Sequence, residues 1–216
     1  PVILQYKIDD SPKIDCKSLV IVVNQMSARL LNGQDVQYDP LIVRKHAKEV
    51  FGHEGRYVPI SPLVKRLMDQ DGRYLTDPDN IWYPMIDTEN WCDTPIRWRG
   101  MSRKHPVVGR HGRDHYTKWP SDRKKLELAY GVNEQWDVRF LGGAETAIEI
   151  LGEKPKNWMG YEFDAIGSKE FLADLDFFVH YTHDEYIEEF GRAVMEAMAV
   201  GIPVVLPPKF KETFGS

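Results

Sequence analysis

Two carboxylates stand eight residues apart in EEFGRAVMEAMAVGIPVV, Glu188 to Val205. Glu196 falls two turns into a helix whose neighbours Met195, Ala197, Met198 and Ala199 are apolar or small. A carboxylate on such a helix is either on a narrow solvated face or buried, and a buried one needs partners. Vicinal sugar hydroxyls serve, because one carboxylate can accept from two of them. Glu188, just before the helix, could do the same for a second sugar ring. The helix start at Phe190, Gly191 and Arg192 exposes unpaired N–H groups and the positive end of the dipole, which favour a phosphate. Ribose, diphosphate and hexose in that order describe a nucleotide-sugar.

A second cluster, GRHGRDHYTK from Gly109 to Lys118, offers Arg110, Arg113 and Lys118 with two glycines. Arginine grips phosphate with two parallel bonds, lysine acts as a point charge, and glycine lets the backbone approach an anion. A solvated basic loop is the competing reading. The spacing is not that of a P-loop, and GxGxxG is absent, which disfavours a dinucleotide-dependent oxidoreductase. His180 and His183 have no third ligand at close spacing, so no metal is expected; His180 is expected to pack near the sheet edge and His183 to line a cleft or face solvent.

The elements that must position these residues follow from apolar periodicity. Expected strands are Leu19–Val23, Tyr57–Ile60, Ile81–Ile86 (weakened by Pro84), Pro106–Arg110, Asp137–Leu141, Trp158–Phe163, Asp176–Tyr181 and Ile202–Leu206. Expected helices are Pro40–Phe51, Pro62–Met68 behind a Ser61 cap, Asp122–Tyr130 behind Ser121, Ala144–Leu151, a short one from Ser168 to Leu175, and Phe190–Val200. Gly131, Gly152 and Gly201 sit where helix ends want a left-handed residue. Short apolar strands alternating with helices predict a doubly wound parallel sheet, with ligands at the carboxyl ends of the strands. The aperiodic stretch 87–104, rich in Trp, Pro and Arg, marks a domain boundary near residue 100. Trp82, Trp91 and Trp98 beside its arginines either pack between domains or line an acceptor groove.

Bulk composition fits this picture. The chain has 216 residues, 42% hydrophobic and 28% charged, with a formal net charge of −5. That size and apolar share support a buried core, and the acidic balance argues against a general nucleic-acid binder. Arg97, Arg99, Arg103, Lys104, Arg110 and Arg113 form a local basic stretch within this acidic chain. No run reaches the ~18 apolar residues of a membrane span. Two separated cysteines, Cys16 and Cys92, fit a reducing cytoplasm better than a disulfide scaffold.

The Glu188–Val205 stretch resembles the E-x7-E signature of retaining, metal-independent GT-B glycosyltransferases of the group 1, family 4 type. Glu188, Phe190, Gly191, Glu196, Ala197, Ala199, Gly201, Pro203, Val204 and Val205 match the pattern's fixed positions. Gly109-Arg110 with Lys118 resembles the family's G-R…K element, with a longer gap that leaves Arg110 or Arg113 as the phosphate arginine. The resemblance implies an α/β, GT-B-like fold of two Rossmann-like parallel-sheet domains: residues 1–100 an incomplete acceptor-side domain, 101–216 the nucleotide-sugar-binding domain, truncated at its end. It implies that the chain is a piece of a longer protein. Glu196 would bind the ribose and Glu188 the transferred sugar; Phe190, Gly191 and Arg192 would supply backbone amides. Lys118 with Arg110 or Arg113 would neutralise the leaving diphosphate, following Gly109. The base would lie beside Gly160 to Phe163, near Tyr161 and Glu162, with His183 in the cleft. The implied substrates are a nucleoside-diphosphate-sugar and a glycan or lipid-linked acceptor, with neither metal nor cofactor, in the cytoplasm or peripherally at the inner face of the membrane. The alternatives are a GT-B nucleotide-sugar epimerase and a noncatalytic nucleotide-sugar-binding module.

Overall fold

A computed structural model describes residues 14–76, 80–92 and 104–215. The chain divides into two compact units. The first holds the chain up to Pro84, with Ile187–Phe190 and the residues from Phe210 onward; the second holds Met85–Tyr186 and Gly191–Lys209. The boundary expected near residue 100, the basic residues Arg97, Arg99 and Arg103, and Trp98 lie outside the described residues.

In the first unit, β1 (Val20–Val23) and β2 (Arg56–Pro59) pair in parallel, Val20 opposite Arg56 through Val23 opposite Pro59. Between them runs α1 (Pro40–Phe51), with its N-cap Asp39 accepting from Leu41 N and Gly52 in the left-handed conformation at its end. α2 (Pro62–Asp71) follows β2, opened by Ser61 and Pro62 as expected and running three residues past Met68. Ile21, Val23, Val43, Ala47, Tyr57, Val64 and Met68 form the core, and Ile187 and Phe190 pack into it. Ser61 is fully buried and its Oγ accepts from Val64 N at 3.2 Å. Ser61→Ala is expected to lose about 1 kcal/mol, read as a lower urea midpoint with unchanged slope.

The expected strand at Ile81–Ile86 is not formed; these residues have no regular secondary structure. Pro84 cannot donate to a ladder, and Trp82, Tyr83 and Met85 are exposed, so no apolar face drives pairing. A ladder-like bond there runs from Trp82 N to Pro59 O at 2.9 Å. A short α3 (Thr88–Cys92) follows, which the mixed composition of the region concealed.

The second unit is built on a five-stranded parallel sheet in the order β5-β4-β3-β6-β7. Its strands are β3 (Val107–His111), β4 (Asp137–Leu141), β5 (Trp158–Tyr161), β6 (Phe177–Val179) and β7 (Val204–Val205). The helices between them are α4 (Arg123–Tyr130), α5 (Glu145–Leu151), α6 (Ser168–Ala173) and α7 (Arg192–Val200), and α8 (Lys211–Phe214) returns to the first unit. The chain builds outward from β3 to β5, then resumes on the other side of β3 with β6. This reversal is the topological switch point of a Rossmann-like sheet. Trp119, Leu126, Tyr130, Val138, Phe140, Ala147, Leu151 and Trp158 fill the core on one side of it.

Ends shift where capping decides them. Asp122, not Ser121, caps α4, accepting from Lys125 N at 2.9 Å. Gly167 takes the cap position expected for Ser168, which is the first residue of α6. α7 begins at Arg192, because Gly191 sits at φ 77° and Phe190 packs against the core of the first unit. β6 and β7 are shorter than the apolar runs that predicted them. Among the described residues no helix is long and apolar enough to cross a membrane, and no group of three or more His, Cys, Asp or Glu residues is placed to hold a metal ion.

Candidate functional site

The carboxyl ends of β3 and β6 flank the switch point of the second unit, and the sequence clusters fall on the loops that follow them. β3 ends at His111, and the loop from Gly112 to Lys118 continues it. β6 is followed by the 180–191 connection into α7.

Glu196 lies in the second turn of α7 and is 8% exposed, so the buried alternative holds. Its Oε1 accepts from Arg192 Nε at 3.1 Å, one turn earlier on the same helix. Its Oε2 lies 3.3 Å from Nε2 of His111. Burial raises the Glu196 carboxyl above its ordinary range, while Arg192 draws it back down. Gly191 caps α7 in a left-handed conformation with no side-chain cap bond, so Arg192 N and its neighbours open the helix without an internal acceptor.

The two candidate arginines separate sharply. Arg110 is 2% exposed. Its guanidinium lies 4.5 Å from the centre of the Trp119 ring and donates to the Lys118 carbonyl. Its charge is thereby committed to the interior. Arg113 is exposed, with its guanidinium 5.8 Å from the ring of Phe163, itself exposed. Lys118 Nζ donates to Tyr186 Oη at 3.0 Å and stands 4.4 Å from that ring's centre. Lys209 ties down the connection that carries Tyr186, donating to the carbonyls of His183 at 2.5 Å and of Asp184 and Tyr186 at 3.3 Å each.

Local contacts explain why the loop after β3 holds its shape. Asp114 accepts from Trp119 Nε1 at 2.6 Å and from Thr146 N at 2.9 Å, bridging the loop to the first turn of α5. Gly142, at φ 106°, faces Gly112 so closely that a Cβ would stand 2.2 Å from the Gly112 carbonyl oxygen. Gly109 lies inside β3, where a Cβ would stand 2.3 Å from the Arg139 carbonyl oxygen, so its small size serves strand packing. Tyr161 O accepts from both Gly142 N and Gly143 N, at 2.9 and 3.0 Å, while Glu162 is exposed. His183 is partly buried; its N–H donates to Thr117 O at 3.0 Å and its Nδ1 accepts from Glu185 N at 3.2 Å. His180 is 3% exposed beside the end of β6, its ring stacked 6.0 Å from that of Phe178.

The remaining sequence candidates belong to the first unit. Phe190 is partly buried and packs against its core, and Glu188 is half-buried on the segment Ile187–Phe190. The neighbour that sequence reasoning passed over, Glu189, is 8% exposed and accepts from Met26 N at 3.1 Å, just past β1. Ile187 N donates to Arg29 O at 2.9 Å, so the segment is anchored by backbone as well as side chain.

His111, within the same basic cluster, carries no signal in its sequence neighbours. Strand alternation puts it on the face opposite Arg110, and it is 9% exposed. Its ring contacts Phe178 and Phe171, with centroids 5.6 and 6.5 Å away. Burial first, then Arg110 and His180, push its pKa down from 6.5 to about 4, so the ring is neutral at pH 7. A folded-state pKa below the unfolded one means that the unfolded chain binds the proton more tightly. Stability from His111 is therefore fully present above about pH 6.5 and is lost as pH falls toward 4, by up to about 3 kcal/mol. Urea titrations at pH 7 and pH 4.5 should show a smaller loss for His111→Leu than for the wild type; equal losses would contradict the assignment.

The second unit thus gathers a buried carboxylate, an uncapped helix start and two cations on loops at one edge of a parallel sheet. Such an edge can take a diol through the carboxylate and a phosphate through the amides and cations. No protein-family model matches the chain, and no curated protein is significantly similar to it.

Proposed function

We propose that the second unit is the donor-binding part of a retaining GT-B glycosyltransferase, which moves a sugar from a nucleoside-diphosphate-sugar to a glycan or lipid-linked acceptor. The observation that carries this reading is the burial of Glu196 beside His111 at the switch point, where a Rossmann-like sheet takes its ligand. A solvated helix face would have needed no such surroundings.

In this reading Glu196 accepts from the ribose hydroxyls, and the diphosphate lies against the amides that open α7. Lys118 and Arg113 supply the positive charge that a metal would otherwise bring to the leaving diphosphate. Arg110 holds the loop that carries them, through Trp119 and the Lys118 carbonyl. The base lies beside Tyr161 and Glu162, with the exposed Phe163 ring at hand.

A thermal-shift panel of UDP-, GDP-, ADP- and dTDP-sugars tests the reading and selects the base. A ligand at a hundred times its Kd adds about 2.7 kcal/mol. One base is therefore expected to raise the melting temperature by several degrees. No shift with any of the four at millimolar concentration would refute the proposal.

A further inference from the structure

Among the described residues, the buried Nε2 of His111 has no hydrogen-bond partner. Buried polar atoms are nearly always satisfied. The exception therefore asks for an explanation, and the atom stands 3.3 Å from Glu196 Oε2, close enough to bond but out of line for it.

Phe171 and Phe178 flank the ring and offer no acceptor. His111 ends β3, whose backbone is held by pairing with Leu141 of β4. The ring therefore sits on a rigid strand, whereas the Glu196 carboxyl hangs from a helix on a side chain with three torsions. Arg192 holds the other carboxyl oxygen, but the Arg192 side chain is 79% exposed and is a loose partner. Those torsions let the carboxyl turn relative to an Nε2–H donor 3.3 Å away.

We propose that His111 is the positioning residue for Glu196: its Nε2–H donates to Oε2 when the ligand is bound, fixing the carboxyl plane so that the remaining lone pairs meet the two hydroxyls of a vicinal diol. This rests on the reading of Glu196 as the ribose-binding carboxylate. It makes the His111–Glu196 pair the device that distinguishes a ribonucleotide from its 2′-deoxy counterpart. Deleting the 2′-hydroxyl leaves a charged, buried acceptor short of one bond, and hydrogen bonds to charged groups are the strong ones.

The test is calorimetric binding of matched pairs, UDP with dUDP, ADP with dADP and GDP with dGDP, to the wild type, His111→Leu and His111→Asn. For the base that binds, the wild type should prefer the ribonucleotide by about tenfold or more. His111→Leu should lower that preference to within about threefold, mostly by weakening the ribonucleotide, and His111→Asn, which keeps an N–H donor, should restore part of it. A purely structural role would weaken both members of the pair alike and leave the ratio intact. That result, in a His111→Leu protein still cooperatively folded in urea, overturns the inference. A wild type that binds none of the six, or both members of each pair equally, overturns instead the ribose reading beneath it.

Discussion

Trp119→Ala should cost the second unit about 3–5 kcal/mol, the range for truncating a buried aromatic. Trp119 is 1% exposed, and its ring meets Tyr130 and Phe140 edge-on, with centroids 5.6 and 5.1 Å away. Three losses coincide on truncation. The aromatic cluster is left with a cavity. Arg110 loses the face over which its charge lies. Asp114 loses the indole donor at 2.6 Å. Against a total stability of roughly 5–15 kcal/mol the change is large. Trp119→Phe keeps a ring under Arg110 and loses the N–H, so it should fall in between. Urea unfolding followed by circular dichroism reads both; a Trp119→Ala loss below about 1 kcal/mol would contradict the account of this loop.

The second large effect is on chemistry rather than folding. Replacing Arg113 and Lys118 together by alanine should depress donor turnover by about a hundredfold or more, the scale for removing a preorganised charge from a developing anion. Arg113 is exposed and Lys118 partly so, so stability should move by under about 1 kcal/mol. The contrast with Arg110 sharpens the test. Arg110→Ala should destabilise the fold, because it empties a buried position over Trp119, whereas the double variant should fold and fail to turn over. Nucleoside diphosphate release from the donor that binds is the readout. Wild-type turnover in the double variant would remove both cations from the site.

Much of the fold was legible in the sequence because its central strands are largely buried and most of its longer helices end in glycine. Asp137–Leu141 and Pro40–Phe51 were read to the residue, and Gly131, Gly152 and Gly201 marked helix ends correctly. Ile81–Ile86 misled because an apolar run predicts burial only when something covers it, and here Trp82, Tyr83 and Met85 face outward. Phe190 was read as the start of a helix because apolar periodicity cannot say into which core a ring packs; the ring packs against the core of the first unit.

The site was legible by residue type and much less by environment. The apolar neighbours of Glu196 left burial and a solvated face both open, and the structure takes burial. The fates of Arg110 and Arg113 were not legible, since both stand beside a glycine in a basic cluster and only the distant Trp119 separates them. His111 gave no signal of its own, because its meaning lies in a partner 85 residues away. Glu189 was masked by Glu188, and nothing local tells which of two adjacent glutamates reaches the backbone at Met26.

The central claim is that the Glu196 carboxylate grips the sugar hydroxyls of a nucleoside diphosphate at the sheet's switch point. Titration calorimetry of the preferred nucleoside diphosphate against the wild type and Glu196→Gln addresses it directly. The account predicts affinity weaker by about 1–3 kcal/mol, roughly ten- to a hundredfold; an unchanged Kd in a folded Glu196→Gln protein would contradict it.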